Sequence, residues 1–223
     1  NLNRTDLDEQ LVSIPTEEEQ QQIGAYFQQL DNLITLHQRK LDKIKLMKAA
    51  YLTEMFPQEG ESIPKRRFAG FTDAWEQRKL EDIVIWSKGS SLAKAVINDK
   101  SIGEGVIHYA DLYKFSPVVN EVIHWSDSGE GTVIPNNSLL FPMSDVTPVG
   151  LARTSTITKT GVKAGGDTLI GTVAKHSSAE FVSYQINANA RNILPLVTGT
   201  TVRHISSGSL DTLDILIPEI EEQ

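Results

Sequence analysis

The side chains best suited to binding a ligand lie in one basic segment, residues 153–203. It holds six Lys or Arg residues against two acids, whereas residues 99–145 hold two lysines against seven acids. Phosphate groups are bound by Lys and Arg, and base edges are read by Arg, Lys, Asn, Gln and Ser. The basic segment could therefore bind a nucleic acid, although ordinary variation along the chain would produce the same asymmetry.

The composition of the whole chain restricts the kinds of partner and compartment that can be expected. Its net charge of −8 over 223 residues by itself argues against a nucleic-acid partner. The absence of cysteine excludes disulfides and thiolate metal sites and favours a reducing compartment. No secretory signal opens the sequence, and no run of 18 apolar residues could span a membrane. A cytoplasmic location without membrane contact is expected.

Motifs for catalysis are missing from the sequence. No Gly-rich phosphate loop occurs, and the five histidines never fall at metal-ligand spacing on one element. The Asp/Glu-x-Lys triplet of nucleases, the Gly-x-Ser-x-Gly elbow and the Asn/Asp-Pro-Pro-aromatic motif of amino-methyltransferases are also absent. We therefore expect a non-catalytic protein that needs no metal and no cofactor.

A long helix is predicted over residues 16–56, between two prolines. Apolar residues recur there at alternating spacings of four and three, the heptad pattern of a helix that pairs with another helix. Thr16 and Glu19 form a capping-box pattern, and Pro57 ends the helix. At ~1.5 Å per residue the helix would be roughly 60 Å long. The seam positions are Ile23, Phe27, Leu30, Ile34, His37, Leu41, Ile44, Lys48, Tyr51 and Met55.

The predicted fold class is α+β, a long coiled-coil helix followed by a mixed α/β domain. Residues 1–15 are interpreted as the end of a preceding strand or linker, and residues 57–74 as a turn-rich linker. Residues 75–218 form the domain, with one amphipathic helix at 178–194 and with Trp86, Tyr109 and Trp125 expected in its core. Strands are predicted at 80–86, 105–109, 118–123, 132–134, 138–141, 154–158 and 168–173.

The end of the chain repeats part of its beginning. Residues 14–20 read Ile-Pro-Thr-Glu-Glu-Glu-Gln and residues 217–223 read Ile-Pro-Glu-Ile-Glu-Glu-Gln, five identities in seven positions. Leu7-Asp8 matches Leu210-Asp211 at the same offset of 203 residues. Long internal periods indicate repeated structural units. Residues 219–223 are therefore interpreted as the start of a second, truncated helix.

The order of these motifs resembles the specificity (S) subunit of type I restriction–modification systems. The resemblance covers most of the chain. It rests on the 14–20 motif before the long helix, Phe-Ala-Gly-Phe at 68–71, Trp-Glu-Gln-Arg-Lys-Leu at 75–80, Asn-Asn-Ser-Leu-Leu-Phe at 136–141, His-Ile-Ser-Ser at 204–207, Leu-Asp-Ile-Leu-Ile-Pro at 213–218 and Glu-Glu-Gln at 221–223.

The resemblance implies a central helix followed by a second target recognition domain. Such a domain reads one half of a bipartite site in double-stranded DNA, while paired antiparallel helices set the spacing. Methyltransferase (M) subunits would dock on the assembly and bring a restriction (R) subunit with them. Because one helix of the pair is missing here, the apolar seam is expected to form a homodimer through the long helix.

The resemblance does not identify the residues that contact DNA, since the reading loops differ between members of the family. Residue chemistry favours the cations and histidines of the basic segment and two lysines after the first strand of the domain. An alternative remains open, in which the chain is a coiled-coil adaptor whose globular domain binds a protein. The candidates for DNA binding are Lys88, Lys94, Arg153, Lys159, Lys163, Lys175, His176, Arg191, Arg203 and His204.

Overall fold

The computed structural model describes residues 12–223. Contacts divide them into two units, one that ends at Ala50 and one over Tyr51–Gln223. The helices are α1 (Glu17–Glu54), α2 (Pro148–Leu151), α3 (Ala179–Ala188) and α4 (Ser207–Asp211). The strands are β1 (Glu76–Lys79), β2 (Val84–Lys88), β3 (Glu104–Ile107), β4 (Val118–Val119), β5 (His124–Ser126), β6 (Thr132–Val133), β7 (Ser138–Pro142), β8 (Ser144–Asp145), β9 (Ser155–Ile157), β10 (Lys163–Ala164), β11 (Thr168–Val173), β12 (Arg203–His204) and β13 (Asp214–Ile217).

The long helix is confirmed within two residues of its predicted ends. At its start, Thr16 Oγ1 accepts from Glu19 N at 3.4 Å, and Gln20 Nε2 donates to the carbonyl of Pro15 at 2.7 Å. At 38 residues α1 is about 57 Å long. No residue between Glu17 and Glu54 is buried, so α1 presents the seam from Ile23 to Tyr51. The last predicted seam residue, Met55, lies beyond α1 and is partly buried.

The apolar surface of α1 is wider than the predicted seam. Ile34 in the seam is 66% exposed, and Leu36 beside the seam is 59% exposed. Tyr26 stacks edge-on against Phe27, with ring centroids 5.7 Å apart. A two-helix seam uses two positions per heptad, and these additional side chains extend the surface beyond that need. The further exposed apolar residues of α1 are Tyr26, Leu33, Leu36, Leu46 and Met47.

The domain is built on two sheets that share a core. One sheet has the strand order β2-β11-β7-β9-β4 and the other the order β5-β3-β10-β6. All five residues of β7 are buried. Leu139 and Phe141 contribute to one hydrophobic cluster, whereas Leu140 and Ile170 contribute to the second. Because successive side chains of a strand point to opposite faces, the β7–β11 pair supplies both clusters.

Several predicted strands are confirmed, and others are wrong in part. Predictions at 138–141, 154–158 and 168–173 match β7, β9 and β11, and those at 105–109 and 132–134 overlap β3 and β6. Of the strand predicted at 118–123, only the two residues of β4 are in a strand. The prediction at 80–86 is wrong in its first half, since Leu80–Asp82 is a 3₁₀ turn. There the Asp82 carboxylate accepts from Lys79 N at 2.9 Å and closes the turn.

The remaining corrections fall at helix ends and at the two chain ends. The helix predicted over 178–194 stops at Ala188, where Asn189 leaves the helical conformation, and the 3₁₀ turns Ala190–Asn192 and Leu194–Leu196 follow it. Residues 12–15 form no strand, and the rest of the predicted 1–15 segment lies outside the described residues. Strand β1, which pairs with β13 in antiparallel fashion, was not predicted.

The two ends of the β7–β11 pair carry different structures. At one end, called the helix end, Asn137 Nδ2 donates to the carbonyls of Val173 and Ser177 at 3.1 and 2.9 Å, and Asn137 Oδ1 accepts from Ala179 N at 2.8 Å. The other end, called the ribbon end, carries Pro142 opposite Thr168. There β8 and β12 form a separate two-stranded ribbon.

A buried ion pair holds the last residues of the chain at the helix end. Arg67 donates through Nε and Nη2 to the two carboxylate oxygens of Glu222 at 2.8 and 2.5 Å. Their side chains are only 11% and 7% exposed. Trp75 Nε1 donates to the same carboxylate at 3.1 Å, while the Trp75 ring packs against Phe56 with centroids 6.1 Å apart. Trp75 thus joins the segment that follows α1 to residue 222.

The internal repeat has a counterpart in hydrogen bonding. Gln20 Nε2 donates to Pro15 O at 2.7 Å, and Gln223 Nε2 donates to Pro218 O at 2.9 Å, the same bond at an offset of 203 residues. In the second copy, Gln223 Oε1 also accepts from Ser178 N at 2.8 Å. The residues after β13 therefore form a turn of the kind that begins α1.

Removing one member of the buried ion pair should destabilise the domain. We expect Arg67→Ala to reduce the free energy of unfolding by about 2 kcal/mol, because a charged hydrogen-bonding group is left without its partner. Arg78→Ala is the matched control, since Arg78 pairs with Glu76 at the surface and should change stability little. Equal effects of both variants in urea denaturation would contradict the structural role of Arg67.

Candidate nucleic-acid interface

Four of the ten candidate DNA-binding residues meet at the ribbon end. Lys88 ends β2 opposite Leu169, one residue from the start of β11. His204 pairs with Ser144 and Arg203 with Asp145 across the β8–β12 ribbon. Lys94 lies in the 3₁₀ turn Lys94–Val96 and is exposed, as are Lys88 and His204. Three exposed cationic or titratable side chains thus lie at the same end of the domain, together with half-buried Arg203.

Three neighbouring rings, those of His108, Tyr109 and Tyr113, form an aromatic row that contacts the ribbon through Tyr113. The rings of His108 and Tyr109 are 4.4 Å apart, and those of Tyr109 and Tyr113 are 6.1 Å apart in an edge-on arrangement. Tyr113 donates through its hydroxyl to the carbonyl of Ser144 in β8. Burial, together with nearby acidic groups, raises the pKa of Tyr113 to about 12, so this hydroxyl remains a donor at neutral pH.

His108 presents a defined hydrogen-bonding edge in this row. Its Nδ1 accepts from Ala110 N at 3.3 Å, which leaves the proton of the neutral ring on Nε2. Burial lowers the pKa of His108, opposed by Asp111; Lys94 and Asp167 also lie within electrostatic reach. The neutral form with an Nε2 donor is therefore favoured at pH 7.

Three candidate cations are committed to internal bonds. Arg153 donates through Nη1 and Nη2 to the carbonyls of Tyr113 and Phe115, and burial lowers its pKa. Lys163 donates to Glu104, with only 14% of its side chain exposed. Arg203 donates through Nη1 to the carbonyl of Gly199. The structure therefore gives Arg153 and Lys163 partners within the protein, which the sequence did not predict.

The other four candidates lie away from the ribbon end. Lys175 and His176 follow β11 at the helix end, where the carbonyl of His176 accepts from Gln223. Arg191 lies 3.6 Å from the carboxylate of Glu59, in the segment after α1. Lys159 is exposed just beyond β9, whose register carries it toward the start of β7. The ten candidate DNA-binding residues therefore do not lie on one surface.

Several residues of the interface were not identified from the sequence. Trp86 and Trp125 pack against the two clusters as predicted, whereas Tyr109 belongs to neither cluster and stands in the aromatic row. His108 and Tyr113 were not candidates at all. The signal available was the spacing of His108, Tyr109 and Tyr113 on one short turn, but only the fold shows that this turn underlies the ribbon.

Residues 12–223 contain neither a metal cluster nor a membrane-spanning helix. In that range no group of three or more His, Asp or Glu side chains could hold a metal ion. No helix there is both long and apolar enough to cross a membrane.

Comparison with known proteins supports a single relationship. The family model described as the type I restriction modification DNA specificity domain matches residues 1–46. No curated protein matches the chain. This match bears out the predicted resemblance to type I specificity subunits over residues 1–46.

Solved structures share the fold of this chain. The HsdS subunit from Thermoanaerobacter tengcongensis aligns with a TM-score of 0.53 and 15% identity over 99% of this chain and 52% of its own. A chain from a structure titled for the complex assembly and conformational transition of the type I R-M system aligns with a TM-score of 0.55 and 16% identity, over 94% of this chain and 50% of its own. The chain thus spans about half the length of both. The predicted class, a long helix followed by a mixed α/β domain, is confirmed.

The half-buried imidazole of His108 should make stability depend on pH. As pH falls below the ordinary range of histidine, the unfolded chain takes up a proton that folded His108 resists, so the free energy of unfolding decreases. His108→Asn keeps an acceptor for Ala110 N but cannot titrate. Its melting temperature should therefore fall less than that of the wild type between roughly pH 7.5 and roughly pH 5.5. Parallel curves for the two proteins would contradict this role of His108.

Proposed function

We propose that this chain is the DNA-reading part of a type I specificity subunit and acts without catalysing a reaction itself. Its domain would read one half of a bipartite site in double-stranded DNA from the ribbon end. The premise is the family match over residues 1–46 and the fold shared with HsdS subunits. The observation that carries the proposal is the grouping of Lys88, Lys94 and His204 at one end of the sheet.

The geometry of the domain supports this orientation on DNA. The exposed lysines at the ribbon end can contact phosphates, while His204 and Ser144 lie on a two-stranded ribbon of a size that fits the major groove. Phe56, two residues beyond the end of α1, packs at the helix end instead, with Trp75 and Phe181.

The long helix is proposed as the spacer between two half-sites. Its length of about 57 Å exceeds the ~34 Å of one helical turn of DNA. A second copy of α1, paired in antiparallel orientation along the seam, would carry a second domain to the opposite end. His37 and Lys48 in the seam would weaken packing locally and so set its register.

The additional apolar residues of α1 support a second partner. Tyr26, Leu33 and Leu36 lie outside the two-helix seam and are all at least half exposed. Exposed apolar surfaces of this kind mark sites of protein contact. We propose that M subunits dock there and that an R subunit joins through them, as the resemblance implies.

Mapping of methylated bases tests the proposed function. The chain is combined with the methyltransferase subunit of the same system, and DNA carrying random sequence is treated and sequenced for modified bases. We expect methylation within one bipartite motif, palindromic if two copies of this chain provide both domains. Methylation without sequence preference would contradict DNA reading by this domain.

The lysines of the ribbon end should account for part of the salt dependence of binding. Each phosphate contact contributes about 0.9 to the slope of log K against log salt concentration. The double variant Lys88→Ala/Lys94→Ala, in complex with the methyltransferase subunit, should lose about 2 from that slope. Lys175→Ala, at the opposite end of β11, is the matched control and should leave it unchanged. The reverse pattern would place the phosphate contacts at the helix end.

The seam should control the association of the chain with itself. We expect the 24.7 kDa chain to sediment as a dimer and Ile34→Glu or Leu41→Glu to yield monomers, because a carboxylate would be buried in an apolar interface. Arg39→Glu changes a residue on the opposite side of α1 and should leave the dimer intact. A monomeric wild type at micromolar concentration would contradict pairing through α1.

A further inference from the structure

Two exposed valines lie at one end of the β8–β12 ribbon. Val146 is 73% exposed and Val202 is 46% exposed. The ribbon pairs Ser144 with His204 and Asp145 with Arg203 in antiparallel register. Val146 follows β8 and Val202 precedes β12, so the two valines flank the same end of the ribbon, one position beyond its last pair. These two side chains are called the valine tip.

The backbone beneath the valine tip is held by its own hydrogen bonds. The Asp145 carboxylate accepts from Val146 N at 2.6 Å and from Thr147 Oγ1 at 3.0 Å. On the other strand, Thr198 and His204 exchange two backbone hydrogen bonds of 3.0 and 2.8 Å. A tip fixed in this way loses little conformational entropy when it is covered. Neither valine belongs to the two hydrophobic clusters, so exposing them does not serve the core.

We propose that the valine tip contacts the 5-methyl group of a thymine in the major groove. The inference rests on the proposed DNA-reading function and names the base feature that this part of the interface recognises. The thymine methyl is the apolar feature of major-groove base edges, and a two-stranded ribbon fits that groove. Val146 and Val202 have no polar group with which to read any other edge.

The surroundings of the tip favour DNA over a protein as its occupant. Lys88, Lys94 and His204 are exposed at the same end of the domain, and cations beside the tip suit the phosphates that border a groove. The carboxylate of Asp145, the nearest acid, is occupied by the turn that holds Val146. Two valines also form a smaller surface than a stable protein interface needs.

Deoxyuridine substitution tests the contact directly, because it removes only the 5-methyl group of a thymine. Once the methylated motif is known, each of its thymines is replaced singly, on either strand, and binding by the complex with the methyltransferase subunit is measured at constant salt. We expect one position in each half-site at which the wild type loses about fourfold in affinity, the value for one buried methyl group.

Variants of the tip assign that loss to the valines. Val146→Ala/Val202→Ala should bind thymine DNA more weakly and show no further loss with deoxyuridine at the sensitive position. Val133→Ala removes an equally exposed valine from β6, outside the ribbon, and should retain the wild-type response. Equal melting temperatures of the three proteins would establish that the fold is unchanged.

Three results would overturn the proposal. The first is wild-type binding that is insensitive to deoxyuridine at every position of a specifically methylated motif. The second is a tip variant that keeps the full deoxyuridine penalty. The third is a tip variant that fails to associate with the methyltransferase subunit, which would make the valines a protein-docking surface. These outcomes leave the DNA-reading function standing, whereas methylation without any motif would remove both.

Discussion

The pairing of β7 with β11 is the constraint on which the domain depends. Both strands are almost wholly buried. Leu139 and Phe141 of β7 belong to one hydrophobic cluster, and Leu140 of β7 belongs to the other. A strand buried on both faces can present nothing to a ligand along its length. Function is therefore restricted to its two ends, where the chain leaves the sheet.

Those two ends differ in chemistry because different residues must satisfy the backbone there. At the helix end, Asn137 and the Arg67–Glu222 pair supply polar bonds to turns that would otherwise be buried without partners. At the ribbon end, Arg153 donates to the carbonyl of Tyr113 and so satisfies the turn that contains it, whereas Lys88 and Lys94 are exposed. One end is thus suited to attachment, and the other to reading a partner.

The long helix and the central strands could be predicted because their signals are local. A heptad seam bounded by Pro15 and Pro57 fixes α1, and the apolar run at 138–141 fixes β7. The interface could not be predicted in the same way, because β8 pairs with β12 across nearly 60 residues. The sequence prediction chose Arg153 and Lys88 on their charge alone. In the structure Arg153 is partly buried and bonds to the backbone, whereas Lys88 is exposed.

Amide hydrogen exchange of the assembled complex, with and without its DNA site, tests most directly whether the ribbon end reads DNA. The account predicts DNA-dependent protection at residues 88–94, 144–149 and 199–204, with residues 217–223 unchanged between the two states. Protection confined to residues 57–79 and 217–223, with an unaffected ribbon, would place the DNA at the helix end and contradict the account.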